Sequence, residues 1–259
     1  MEYNFHKRRD KSWFFLLPAL FLLINNVTGQ DKNQSLRLFI IGNSFSQNAT
    51  AYLPDLVKEK GKQLVIGRAE LGGCSLERHW RHVEAAEANP EDSLGKPYRG
   101  KSLRMLLSDG KWDVVTIQQF SFLSGDVETY MPYAEKLYNF IKSIQPHAEI
   151  VVHQTWAYRW DAKKFGQIAA GHNAKNEEEM WIKSRDAYHT IAKKLQVRII
   201  PVGDAFRKVA SDSIYVYRID NAFNYIEPVY PNLPNQCNSL NVGYYWDKQQ
   251  KMAFDPNHA

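Results

Sequence analysis

From Leu36 onward, short apolar runs alternate with segments whose apolar residues recur at helical spacing. That alternation restricts the chain to a largely parallel sheet with helices packed on its faces. Leu36–Ile41 ends at Gly42 and reads as a buried strand closed by a turn. Ala49–Lys60 places Tyr52, Leu53, Leu56 and Val57 at helical spacing and reads as a helix that Gly61 ends. Four more strands are expected: Leu64 to about Leu71, Trp112–Ile117, Ile150–Val152 and Val197–Val202. Helices are expected over Ser102–Leu107, Tyr130–Ile144, Glu177–Leu195 and Asp204–Ala210. The predicted fold class is therefore α/β, a three-layer α/β/α sandwich around a five-stranded parallel sheet. Sheets of this kind bind ligands beyond the carboxyl ends of their strands, so chemistry is sought in the segments that follow each strand. Residues 88–100 and 156–176 are polar insertions at or near that rim, and 213–250, rich in Tyr, Asn and Pro, is expected to be irregular.

Residues 1–29 stand outside this pattern. Lys7, Arg8, Arg9 and Lys11 precede an apolar run from Trp13 to Ile24, and a short polar stretch with Val27 and Gly29 follows. This is the layout of a secretory signal peptide. The run falls short of the ~20 residues a spanning helix needs and contains Pro18, so no stable membrane anchor is expected. The protein is expected to be secreted or periplasmic, with residues 30–259 forming one domain. Residues 1–29 hold four basic and two acidic side chains, so the formal charge of +5 becomes +3 without them. That charge is too mild to suggest nucleic acid, and no basic cluster with interleaved aromatics adds to it. Cys74 and Cys237 could pair in an exported protein. No CxxC or HExxH spacing occurs, so neither a metal site nor a cofactor is expected.

Four segments carry residue types suited to acyl chemistry. Gly42-Asn43-Ser44-Phe45-Ser46 follows the first strand, where a serine can either expose its hydroxyl or cap a helix. Gly72-Gly73-Cys74-Ser75 follows the second, where the Gly73 N–H can face a ligand or simply belong to a turn. Gln118-Gln119 follows the third, with amides able to serve an oxyanion or the loop backbone. Asp255-Pro256-Asn257-His258 comes last; a carboxylate three residues before a histidine can hold one ring nitrogen while the other faces a serine. His79 and His82, on an expected helix after the glycine turn, could contact substrate, whereas His153 reads as structural. A GxSxG elbow, the mark of the α/β-hydrolase fold, is absent here because position 46 is Ser.

Together these blocks resemble the SGNH/GDSL hydrolase superfamily of serine esterases. Gly42-Asn43-Ser44-Phe45 stands where that family has GDSL, Gly73 matches the glycine of its second block, and Asp255/His258 match its closing DxxH. Ile41–Ser46, Gly72–Trp80, Trp112–Gln119 and His153–Tyr158 are similar, more narrowly, to a branch with a GNSFS block found mainly in exported proteins of Bacteroidetes. The resemblance spans Leu36 to His258 and implies a flavodoxin-like sheet. It further implies Ser44 as nucleophile, His258 as base and Asp255 as its orienter. The N–H groups of Ser44 and Gly73, with the Gln119 amide, would form the oxyanion hole. Two departures stand out. Gln118-Gln119 replaces the family's GxND, and the closing helix that follows the histidine in relatives is not found before Ala259.

Trp80, Trp156, Tyr158 and Trp160 fall in segments expected near the rim, where flat rings can stack on sugars. Such rings can equally pack on one another as ordinary loop residues. Export together with the family resemblance points to an acetyl ester on a glycan as substrate. The alternatives are a lipid acyl hydrolase, a non-catalytic carbohydrate-binding protein on an esterase scaffold, and an O-acyltransferase.

Overall fold

Both faces of the first strand are covered, which is why its last five residues read as one continuous apolar run rather than an alternation. The computed structural model describes residues 35–259, and the signal-like segment 1–29 lies outside the described residues. The chain begins with β1 (Ser35–Gly42), α1 (Ser44–Ala49), α2 (Leu53–Glu59) and β2 (Gln63–Glu70). It continues with α3 (Leu76–Ala88), α4 (Leu103–Leu107), β3 (Val114–Ile117), α5 (Tyr133–Ile144) and β4 (Glu149–His153). A small hairpin, β5 (Gln167–Ala169) and β6 (His172–Asn173), precedes α6 (Glu177–Leu195), β7 (Arg198–Ile200) and α7 (Val202–Ala210). A second hairpin, β8 (Gly243–Trp246) and β9 (Met252–Asp255), completes the described elements.

Five strands form one parallel sheet in the order β2-β1-β3-β4-β7. The chain moves outward from β1 to β2, then returns to β3 on the other side of β1. The strand order therefore reverses beside β1, and the residues after β1 sit at the topological switch point where α/β sheets place their ligands. Phe39, Ile41, Val115, Ile117, Ile150 and Val152 supply the sheet's share of the main core, against Leu76, Leu137, Ile141, Tyr188 and Ile191 of the helices. Each such side chain, fully buried, contributes about 1.5–3 kcal/mol relative to exposure.

The predicted sheet and the long helix over Glu177–Leu195 match the structure. The single helix expected over Ala49–Lys60 is instead two. α1 starts at Ser44, and α2 starts afresh at Leu53 with Pro54 in its first turn, where a missing N–H costs nothing. Residues 213–250 are not wholly irregular either. β8 lies within them, and its Tyr244 stacks on Phe254 of β9 with ring centroids 4.5 Å apart. Cys74 is buried, Cys237 is exposed, and the two are not joined. Among the described residues, no helix is long and apolar enough to cross a membrane.

Candidate active site

Ser44 occupies the first position of α1, directly after β1 and Asn43. The capping role that the sequence left open falls to Asn43, whose Oδ1 accepts the Phe45 N–H at 3.1 Å. Ser44 therefore keeps its hydroxyl for another partner. Asn43 Nδ2 also donates to the Cys74 carbonyl at 3.1 Å, so one buried side chain fastens the second glycine block to the serine turn. Gly42 is needed for close approach. A Cβ there would lie 2.5 Å from Ser46 Oγ and 2.9 Å from Gln118 Oε1.

His258 reaches this serine from 214 residues away in sequence, its Nε2 2.9 Å from Ser44 Oγ. Its Nδ1 lies 2.7 Å from Asp255 Oδ2 and donates to it, which leaves Nε2 free to accept the serine proton. Asp255 ends β9, and its Oδ1 accepts the N–H groups of Asn257 and His258, both at 3.0 Å. Burial pushes this carboxyl upward, but the hydrogen bonds from the His258 backbone and ring and from Asn257 outweigh it, and its pKa lies below the usual carboxylate value. The segment is tied down on several sides. Val242 N–H donates to the His258 carbonyl at 2.8 Å, and Arg159 N–H to that of Pro256 at 2.9 Å. Trp156 Nε1 donates to the Asn257 carbonyl at 2.8 Å, and Asn241 Nδ2 to the same oxygen at 3.3 Å.

Among the described residues, the N–H groups of Ser44 and Gly73 meet no acceptor in the chain. Gly73 has φ +57°, a left-handed conformation that suits glycine, in the exposed turn before α3. Gln119, expected as a third donor to an oxyanion, is committed elsewhere and is fully buried. Its Oε1 accepts the N–H groups of Leu76 (3.0 Å) and Phe120 (2.9 Å), and its Nε2 donates to the Thr129 carbonyl and hydroxyl. Gln119 thus shapes the start of α3 rather than facing a ligand, because four nearby loop groups satisfy its amide.

The three residues expected to bind substrate are also placed otherwise. Trp156 is completely buried, stacked between Phe45 (4.3 Å) and Phe206 (4.4 Å). Tyr158 is buried with its hydroxyl 3.1 Å from Ser121 Oγ. Trp80 lies on α3 and packs edge-on to Phe140 of α5, with the Lys136 ammonium over its ring. The rim reading failed for Trp156 and Tyr158 because the loop after β4 folds inward, forming a second apolar cluster with Phe45, Phe165 and Met180. His79 and His82 do not contact a ligand face either. His79 is fully buried between the Gly42 carbonyl and Tyr98, and burial pulls its pKa down to about 3. His82 Nδ1 lies 2.8 Å from the Leu94 carbonyl. Sequence reasoning missed Asn43 as the fastener between blocks and Trp156 as a prop for the His258 segment. No group of three or more His, Cys, Asp or Glu side chains is placed to hold a metal ion among the described residues.

A parallel α/β sheet with Ser44, His258 and Asp255 in one hydrogen-bonded series at its switch point defines a protein with the geometry of a Ser-His-Asp triad. The chain belongs to the DUF4886 family, a domain of unknown function, which matches residues 37–224. That match includes Ser44 and ends before β8 and β9, which carry Asp255 to the site. The crystal structure of a DUF4886 family protein from Bacteroides uniformis is similar, with 29% identity and TM-score 0.59, over 70% of this chain and 72% of that one. Weaker likenesses, of chain course alone, include a lipase/acylhydrolase from Enterococcus faecalis (11% identity, TM-score 0.42, 67% and 79% of the two chains). Another is the periplasmic domain of a lipopolysaccharide acetyltransferase from Salmonella ser. Paratyphi A (13%, 0.43, 67% and 69%). No curated protein matches the chain.

Proposed function

We propose that this protein is an exported serine esterase of the SGNH/GDSL type that removes acyl groups, chiefly acetyl, from carbohydrate esters. The observation that carries this reading is the series Asp255–His258–Ser44, with contacts of 2.7 and 2.9 Å. Ser44 Oγ attacks the ester carbonyl carbon as its proton passes to His258 Nε2. Negative charge on the carbonyl oxygen is received by the N–H groups of Ser44 and Gly73. Each such donor is worth about 3 kcal/mol in the transition state. The C–O bond to the alcohol then breaks and His258 returns the proton to the leaving oxygen. Water, deprotonated by His258, attacks the acyl-serine and releases the acid. Asp255, ionised, holds the imidazole in the tautomer that accepts at Nε2 and stabilises the imidazolium.

The cavity one turn of α1 away from Ser44 favours a polar glycan over a lipid chain, since five of its seven lining side chains, Gln47, Arg68, Glu70, Arg99 and Lys101, are polar or charged. Stacking by Trp80, Trp156 and Tyr158 plays no part in this reading, since those rings are packed away. The test is hydrolysis of 4-nitrophenyl acetate and of acetylated xylan by purified protein beside Ser44→Ala. Activity present in the first and lost by a factor of about 10⁴ or more in the second is expected. Equal rates in the two proteins would remove Ser44 as nucleophile. Glycan binding without turnover in either would indicate a binding protein, and acyl transfer to an added sugar would indicate a transferase.

A further inference from the structure

A cavity of about 600 Å³, reached from Ser44 by one turn of α1, is bounded by Gln47, Arg68, Glu70, Tyr98, Arg99, Lys101 and Leu106. Two features place it. Gln47 follows Ser44 by three residues on α1, so both lie on one side of that helix. Glu70, the last residue of β2, pairs in register with Gly42, two residues before the serine. The base arrives from the other side: Pro256 and Asn257, next to His258, are bonded to Arg159 and Trp156 of the loop after β4. The sheet order puts β2 and β4 on opposite sides of β1, so the cavity lies on the β2 side of the strand leading to Ser44 and the base arrives from the β4 side.

Its charge is unbalanced. Arg68 donates to Glu70 at 3.1 Å and to Thr50 Oγ1 at 3.0 Å, so this cation and the one carboxylate lining the cavity among the described residues satisfy each other. Arg99 and Lys101 are exposed, and among the described residues neither enters an ion pair. Two cations therefore face the cavity without counter-charge.

The segment that carries them is fixed rather than loose. Tyr98 and Lys101 form an antiparallel bridge, each N–H donating to the other's carbonyl at 3.2 and 3.1 Å. Between them Arg99 has φ +53° and Gly100 φ +80°, the two positive angles of a type I′ hairpin turn. Asn, Asp or Gly is favoured at the position Arg99 holds, so an arginine there runs against local preference. Strain of that kind concentrates at functional sites. Tyr98, buried, donates its hydroxyl to His79 Nδ1 at 2.7 Å, and His79 Nε2 donates to the Gly42 carbonyl at 3.0 Å. This strut braces the cationic turn against the end of β1 at Gly42, two residues before Ser44.

We propose that the cavity is an anion subsite that takes the carboxylate of an acidic sugar, so that the preferred substrate is an acyl ester of a hexuronate-containing glycan. The proposal rests on the esterase reading above and deepens it. A guanidinium offers a carboxylate paired parallel donors, and Lys101 adds a point charge to the same site. The volume falls within the range of small-molecule sites.

The test compares wild type with the double variant Arg99→Gly/Lys101→Gln, whose glycine suits the positive φ. Its thermal midpoint is expected at or above that of wild type, which separates lost binding from lost folding. In wild type, kcat/KM is expected about tenfold higher on acetylated oligogalacturonate than on acetylated xylo-oligosaccharide, and the ratio should fall as salt rises. In the variant the ratio should fall to about one, and affinity for non-acetylated trigalacturonate, read by calorimetry, should drop about tenfold. Equal kcat/KM on the two glycans in wild type, or trigalacturonate binding unaltered in the variant, would overturn the subsite. If no ester is cleaved yet trigalacturonate binds wild type and not the variant, the esterase reading fails and the subsite stands. Ser44-dependent cleavage of 4-nitrophenyl acetate without discrimination between glycans gives the opposite result.

Discussion

At the scale of single residues, the site is held together by polar atoms that never meet a substrate. Trp156 shows this best: its ring is stacked on both faces, and its one donor goes to the backbone beside His258. Trp156→Phe keeps most of the stacking and removes that hydrogen bond, which is worth about 0.5–1.5 kcal/mol. The expected outcome is a several-fold loss in kcat on 4-nitrophenyl acetate with KM nearly unaltered, checked by steady-state kinetics. Asp255→Asn should be far more damaging, lowering kcat by roughly 10³–10⁴ because the imidazole is left in the wrong tautomer. That Ser44, His258 and Asp255 come together in one hydrogen-bonded series is legible in the sequence from residue type, the DxxH spacing and the serine's position after a strand. Gln119, Trp80, Trp156 and Tyr158 were misread for a common reason. A side chain near a rim can turn inward, and only the neighbours that receive it, such as Thr129 or Phe206, decide which way it goes.

At the scale of elements, the β8–β9 hairpin supplies the histidine and carboxylate, and Arg159 anchors it to the sheet. Arg159 is almost wholly buried and donates to Asp161 at 2.8 and 2.9 Å and to Ser239 Oγ at 2.9 Å. Its guanidinium also lies over the rings of Tyr217 and Phe254. Arg159→Met keeps much of the volume but leaves Asp161 without its partner. The expected cost is about 3 kcal/mol in urea denaturation, with hydrogen-exchange protection falling first in residues 243–255. The five sheet strands and α6 could be read from the sequence because each strand holds a short apolar run and the helix is long and periodic. The hairpin could not. Its strands have four residues each, are mostly half-buried, and pack against the Arg159 guanidinium from far away in the chain, over Tyr244 and Phe254. α1, with six residues, is too short to show a helical period.

At the scale of the whole molecule, two neutral histidines set the acid limit of stability. Burial pulls His79 down to about 3 and His153 to about 4, while in the unfolded chain both return to about 6.5. As pH falls below 6.5 the unfolded chain takes up protons that the folded one refuses, so stability is full above that pH and is lost toward 4. The slope approaches about 1.4 kcal/mol per pH unit for each histidine. Chemical denaturation between pH 7 and 4 should show this decline, and His153→Gln should reduce its steepness. The sheet topology also sets Ser44 and the imidazole 2.9 Å from it far apart in sequence, by 214 residues. Their contact is therefore a late, tertiary event: it exists only once the sheet has formed and the β8–β9 hairpin has docked beside it, so the geometry at Ser44 reports on completed folding.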